Sequence, residues 1–157
     1  MNVITIRFTT RWPWNPTSLV ISRLGGSNTW SHCMNIIDDI AYEASMIHGC
    51  RVIPLAVAMD GISAYQDMVI PVDDIESAKR WGHIQDGKPY DFCGAIGLPF
   101  LASDDWSENG KWWCSELCFM QIGLAGIWLL DPDETKRVTP NDLHQCNYKK
   151  SEIITCK

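Results

Sequence analysis

Residues 111–117, with the sequence KWWCSEL, place one cysteine between two tryptophans and the first turn of a predicted helix. A thiol attacks as its thiolate, and unpaired backbone N–H groups at a helix N-terminus lower the pKa of a cysteine. Cys118 lies one turn further along the apolar stripe of the same helix, so we expect it to be structural. Cys114 is therefore a candidate nucleophile, and in a chain with seven cysteines a packing role is its alternative.

A cysteine nucleophile needs a base, and His32 is the best placed of the four histidines. His32 opens a predicted strand directly after the polar loop SNTWS, which puts it at the end of a sheet, near a surface cleft. We expect the other three to be solvated, in a turn, on a polar helix and in the tail: His48, His83 and His144. For any single histidine, the alternative to a catalytic role is a side chain that is solvated or whose hydrogen bonds are satisfied by its neighbours.

A predicted hairpin supplies a third polar group. If Asp38 and Asp39 form a two-residue loop between the strands HCMNII and IAYEAS, paired positions sum to 77 and Glu43 becomes the diagonal neighbour of His32. Glu43 can then accept the imidazole N–H and hold the ring, as the third member of a triad does. A one-residue change in the loop would move Glu43 to the other face, where it would be an exposed strand carboxylate.

Metal binding is the alternative role for these residues, because histidine and cysteine bind metal ions and occur together at His32-Cys33 and at His144 and Cys146. The chain has no Cys-x-x-Cys pair, no zinc-deaminase signature, no Gly-x-Ser-x-Gly and no phosphate loop. We therefore expect neither a metal nor a cofactor.

The patterning around these residues predicts an α+β fold with an antiparallel sheet packed against helices, and the nucleophile at a helix N-terminus. Strands are expected at 3–9, 32–37, 40–45, 51–57, 67–72 and 152–156. Helices are expected at 15–26, 73–87, 91–100, 114–126 and 139–143, with Asp91 capping the third and Glu116 in the first turn of the fourth. The prolines in 51–57 and 67–72 favour sheet edges or strand ends.

Composition limits the function classes. The 157 residues have a net charge of −6 and no basic run, which argues against nucleic acid as a partner. No apolar run is long enough to span a membrane, and the N-terminus lacks the pattern of a secretory signal. We expect one domain over 1–157, with a peripheral tail over 147–157, and a cytoplasmic location.

The order of short motifs resembles a known family. Trp-Ser-His at 30–32, Tyr-Glu-Ala at 42–44, HGCRVIPL at 48–55, GKPYDF at 87–92, WWCSEL at 112–117 and VTPNDL at 138–143 are similar to the circularly permuted papain-like hydrolases, the YaeF/YiiX-type amidase group related to NlpC-type peptidases. The resemblance covers roughly positions 17 to 143, and the small phage and prophage members look most alike. It implies Cys114 as nucleophile, His32 as base, Glu43 as the third polar residue, and Tyr90 beside the nucleophile.

The resemblance implies a cysteine hydrolase that cleaves an amide of a peptide or small molecule through an acyl-enzyme. Cys33 departs from the family, which has a branched apolar residue there, and brings a second thiol near the site. Many bacterial relatives are exported, so the missing signal favours a cytosolic substrate over cell-wall peptide. An acyltransferase or thioesterase using the same pair, and a catalytically silent binding module, are the alternatives.

Overall fold

The computed structural model describes residues 2–11, 30–91, 110–133 and 138–156. These residues form an α+β fold, as the sequence predicts, with a six-stranded antiparallel sheet in the order β4-β3-β2-β1-β5-β6. The strands are β1 Val3–Arg11, β2 His32–Ile37, β3 Ile40–Ser45, β4 Gly49–Pro54, β5 Ile62–Pro71 and β6 Ile154–Thr155. The helices are α1 Leu55–Ala58, α2 Ile75–Gln85, α3 Cys114–Leu124 and α4 Pro140–Gln145. None of these helices has the length and apolar character to cross a bilayer.

The predicted hairpin has the predicted register. Ile37 pairs with Ile40 and Asn35 with Tyr42, so paired positions sum to 77. The φ angles of Asp38 and Asp39 are 51° and 61°, the left-handed conformation that a two-residue turn between right-twisted strands requires. This turn therefore fixes which face of β3 each side chain occupies.

Capping residues begin two of the helices where the sequence predicts them. The Asp74 carboxylate accepts a hydrogen bond of 2.9 Å from the Ser77 N–H at the start of α2. Thr139 and Asp142 form a reciprocal capping box at the start of α4. Both devices satisfy backbone donors that have no partner within their helix.

The prolines of the two predicted strands 51–57 and 67–72 lie at strand ends. Pro54 is the last residue of the edge strand β4, and Pro71 is the last residue of β5. The prediction of one strand over 51–57 is wrong in its second half, because the chain turns into α1 after Pro54. The Leu55 N–H there donates to the Asp39 carbonyl, which ties the turn after β4 to the hairpin.

Strand β4 also holds the segment that leads to Tyr90. The Cys50 N–H donates to the Lys88 carbonyl at 2.8 Å, and the Gly87 N–H donates to the Cys50 carbonyl at 2.9 Å. Gly49 has a φ of 71°, and a Cβ there would lie 2.4 Å from the Lys88 carbonyl oxygen. Only glycine allows this close approach of the two segments.

One face of the sheet packs on α3 and α2 around a main core that includes Ile6, Phe8, Met68 and Ile122. A buried polar network crosses this contact. The Asn35 side-chain amide donates to the Cys118 carbonyl and to Gln121 Oε1, at 3.1 and 3.0 Å, and Gln121 Nε2 donates to the Ala78 carbonyl. These bonds lock α3 against β2 and α2 in one position.

The C-terminal tail adds strand β6 to one edge of the sheet. Strand β6 pairs with β5, and the Val69 N–H donates to the Lys149 carbonyl.

The expectation that His144 is solvated is wrong, because its ring packs edge-on against Phe8 at 5.0 Å and its Nε2 lies 2.8 Å from Gln66 Oε1. His48 and His83 are exposed, as expected. The predicted helices over 15–26 and 91–100 lie outside the described residues, apart from Asp91 before the second.

We predict that Asp39→Gly stabilises the protein. The left-handed conformation is unfavourable for an L-residue by about 1–2 kcal/mol, and glycine avoids this. We expect the free energy of unfolding in urea to rise by about 0.5–1 kcal/mol, because the flexibility of glycine in the unfolded chain offsets part of the gain. Asp60→Gly is the control, since Asp60 is an exposed turn residue without a positive φ and should not gain. Equal destabilisation by both changes would contradict the turn assignment.

Candidate active site

Cys114 is the first residue of α3, and its position is fixed from both sides. Trp113, the N-cap residue, has extended backbone angles, and its indole N–H donates to the Val138 carbonyl at 2.8 Å. The Ser115 hydroxyl donates to the same carbonyl at 2.7 Å. No side chain among the described residues caps the first backbone N–H groups of α3, so the helix start presents donors and a positive dipole end beside the sulfur.

His32 and Glu43 are in direct contact, as the hairpin argument predicts. His32 Nε2 lies 2.9 Å from Glu43 Oε2. Burial disfavours the charged carboxyl, but the hydrogen bonds and charges of His32 and Arg51 outweigh it and lower the pKa of Glu43 to about 2. An ionised carboxylate only accepts, so the Nε2–H of His32 must be the donor.

Cys114 contacts the same imidazole. The Cys114 sulfur lies close enough to raise the pKa of the ring, and because Nε2 is occupied by Glu43, Nδ1 is the ring nitrogen left to face the sulfur. Burial lowers the basicity of the ring, but the bonds to Cys114 and Glu43 prevail and raise the pKa of His32 to about 10. The thiol, the imidazole and the carboxylate therefore lie in one series, in which the ring bonds Glu43 and interacts with Cys114.

Cys33 lies on the other side of the Cys114 sulfur. Its side-chain bond to Cys114, together with burial, raises the pKa of the Cys114 thiol, while His32 lowers it. The sequence-based expectation of a lowered pKa is therefore wrong in its net direction, because it rested on the helix N-terminus and did not weigh the effects of Cys33 and of burial on this pKa. Cys118 is fully buried and contacts Cys33, in agreement with a structural role.

Tyr90 lies close to Cys114, as the resemblance implies. It pairs with Trp112 in a parallel bridge and packs with Trp113 and Leu117. Burial, and then the charge of the nearby Cys114 sulfur, raise the pKa of the Tyr90 phenol. The phenol therefore keeps its proton at neutral pH and can donate a hydrogen bond.

Arg51 is the residue that the sequence argument did not identify. It faces Glu43 across the β3–β4 pair, and its Nε donates to Glu43 Oε1 at 2.6 Å. The sequence does carry a signal for this contact. Glu43 and Arg51 lie on either side of a short turn with a glycine, a spacing that lets opposite charges pair across a hairpin.

Glu116 has a structural contact rather than a place in this series. Burial and the nearby Asp91 raise the pKa of Glu116 to about 7, and the Trp113 backbone N–H at the start of α3 offsets part of that rise. Within the part of the chain that the structure describes, no three His, Cys, Asp or Glu side chains are arranged to hold a metal ion.

The fold and these contacts define an α+β protein with a thiol–imidazole–carboxylate series at a helix N-terminus. The chain matches no model of a known protein family, and no curated protein matches it.

We predict that Cys33→Val lowers the pH at which Cys114 becomes reactive. Valine removes the sulfur contact that raises the pKa of Cys114 and leaves the opposing bond from His32 in place. The measurement is the rate of Cys114 alkylation by iodoacetamide between pH 5 and 10, read by peptide mass mapping. Cys156→Val is the control, because Cys156 lies in the tail. A shift to higher pH would instead mean that the Cys33 thiol stabilises the thiolate by donating to it.

Proposed function

We propose that this protein is a cysteine hydrolase that cleaves amide bonds through an acyl-enzyme on Cys114. The observation that carries the proposal is the continuous series from the Cys114 sulfur through the His32 ring to the buried Glu43 carboxylate. A nucleophile, a base within hydrogen-bonding reach and a group that orients the base are the three parts that nucleophilic catalysis requires.

In the first half-reaction, the Cys114 proton lies on His32 Nδ1, either taken up as the sulfur attacks or held beforehand in a thiolate–imidazolium pair, and the sulfur attacks the substrate carbonyl carbon. The carbonyl π electrons move onto its oxygen, giving a tetrahedral intermediate with one negative charge. Backbone N–H groups at the start of α3 and the Tyr90 hydroxyl are the donors available to that oxygen. The imidazolium then gives its proton to the leaving amine as the C–N bond breaks, which leaves a thioester on Cys114.

In the second half-reaction, water replaces the amine. His32 removes a proton from water as its oxygen attacks the thioester carbonyl, and the C–S bond then breaks. The proton returns to the Cys114 sulfur and the carboxylic acid leaves. Glu43 stays ionised throughout and stabilises the imidazolium in each half-reaction, because its low pKa keeps it from taking the proton.

The proposal assigns the chain to the permuted papain-like arrangement. In support, the strand carrying His32 precedes the helix carrying Cys114, and the histidine strand belongs to an antiparallel sheet that packs on that helix. The motif resemblance stated from the sequence suggests the same arrangement. A peptide or other N-acyl amide is the substrate class that this chemistry suits.

The test compares two cysteines on one helix. We predict that Cys114→Ala abolishes formation of an acyl-enzyme with an activated acyl ester, because the attacking sulfur is gone. Cys118→Ala should retain it, since Cys118 is buried one turn further along α3. Intact-mass spectrometry detects the added acyl group, and peptide mapping locates it.

Hydrolysis of a library of N-acyl amides by the wild type and both variants completes the experiment. Turnover lost only in Cys114→Ala supports the proposal. Equal acylation or equal turnover in the two variants would refute it. Thermal unfolding of both variants shows whether a loss of activity is a loss of folding.

A further inference from the structure

The Glu43 carboxylate divides its two oxygens between two partners. Oε1 accepts from both Nε and Nη2 of Arg51, with the Nε contact at 2.6 Å, and Oε2 accepts from His32 Nε2 at 2.9 Å. The Glu43 side chain is 2% exposed and that of Arg51 is 22% exposed. Arg51 therefore reaches the carboxylate from the edge strand β4, whereas His32 reaches it from β2.

We propose that Arg51 is a positioning residue of this site, which fixes the Glu43 carboxylate so that Oε2 faces His32 and which keeps that carboxylate charged. This inference rests on the proposed function, because it assigns a role in the same catalytic cycle. The contact that Arg51 makes in this site is with the Glu43 carboxylate, so we assign its role through Glu43.

The need for Arg51 follows from burial. A carboxylate removed from water favours its neutral form, and the charged groups that oppose this among the described residues are His32 from β2 and Arg51 from β4. His32 loses its charge whenever it passes a proton to a leaving amine or to the Cys114 sulfur. Arg51 is then the remaining cation beside Glu43.

A protonated Glu43 would also change the tautomer of His32. Its hydroxyl would donate to Nε2, and the neutral ring would then carry its proton on Nδ1, facing Cys114. Such a ring cannot accept the thiol proton. Arg51 therefore keeps neutral His32 in the tautomer with the proton on Nε2, which leaves the lone pair of Nδ1 directed at the sulfur.

The test uses Arg51→Met, Arg51→Lys and Glu43→Gln, with Arg51→Met in the Glu43→Gln background as the fourth variant. Nuclear magnetic resonance follows the Glu43 carboxyl carbon and the two His32 ring nitrogens as the pH is lowered. Iodoacetamide reports the reactivity of Cys114 in the same samples. Arg80→Met is the matched control, because Arg80 is an exposed arginine of α2 that bonds only to Ser77 among the described residues.

In Arg51→Met we expect the Glu43 carboxyl to titrate above its wild-type value of about 2. Loss of the Glu43 charge should lower the pKa of His32 relative to the wild type, because that carboxylate is one of the groups that raise it. Where the ring is then neutral it should carry its proton on Nδ1, and Cys114 alkylation should fall about tenfold relative to wild type, the scale on which removal of an orienting partner acts. Arg51→Lys should restore most of the reactivity because it keeps the charge. In the Glu43→Gln background, Arg51→Met should have no further effect.

Two results would overturn the inference. One is an unchanged Glu43 titration in Arg51→Met; the other is the same loss of reactivity whether residue 43 is Glu or Gln, which would make Arg51 merely structural. The resonance measurements need no turnover, so they separate the two proposals. If the wild type hydrolyses no amide but the Glu43 titration shifts in Arg51→Met, the proposed function fails and the role of Arg51 stands. If the wild type hydrolyses amides but the Glu43 titration does not shift, the proposed function stands and the role of Arg51 fails.

Discussion

The hydrogen bond between His32 and Glu43 is the interaction on which the rest of the site depends. The Glu43 carboxylate is 2% exposed and requires charged partners. The two strands beside β3 supply one each, His32 from β2 and Arg51 from β4. The Asp38–Asp39 turn sets the register that puts Glu43 on the His32 face, and a slip of one residue would remove it. A short turn of two acidic residues therefore determines the geometry of a cluster at the opposite end of the hairpin.

The second constraint is the docking of α3 on the sheet. Asn35 lies three residues after His32 on the same strand, and it bonds the Cys118 carbonyl one turn after Cys114. This bond ties the strand of His32 to the helix of Cys114, so the distance between thiol and imidazole depends on a polar network in the core. Trp113 and Ser115 fix the start of the helix through the Val138 carbonyl. Cys114 is thus positioned by packing and by backbone anchors.

Much of this arrangement could be predicted from the sequence, because it rests on local rules. Period-two alternation in 3–9, the acidic start of α2 and the Thr139–Asp142 capping box each carry their own signal, and the two-residue loop fixes Glu43 beside His32. The charge state of Cys114 could not be predicted, because it depends on Cys33, a residue distant in sequence that meets Cys114 only after α3 packs on β2. His144 was missed for the same reason, since its contacts with Phe8 and Gln66 depend on how the C-terminal segment folds back.

The central claim is that Cys114 and His32 act as one acid–base pair, and the effect of His32→Ala on Cys114 tests it most directly. The measurement is the pH dependence of Cys114 alkylation by iodoacetamide in the wild type and in His32→Ala, with Cys118 followed in the same peptide maps. The account predicts that loss of His32 moves Cys114 reactivity to higher pH, because the imidazole is the group that lowers the pKa of this thiol. Identical profiles in the two proteins would contradict it and would make Cys114 a packing residue.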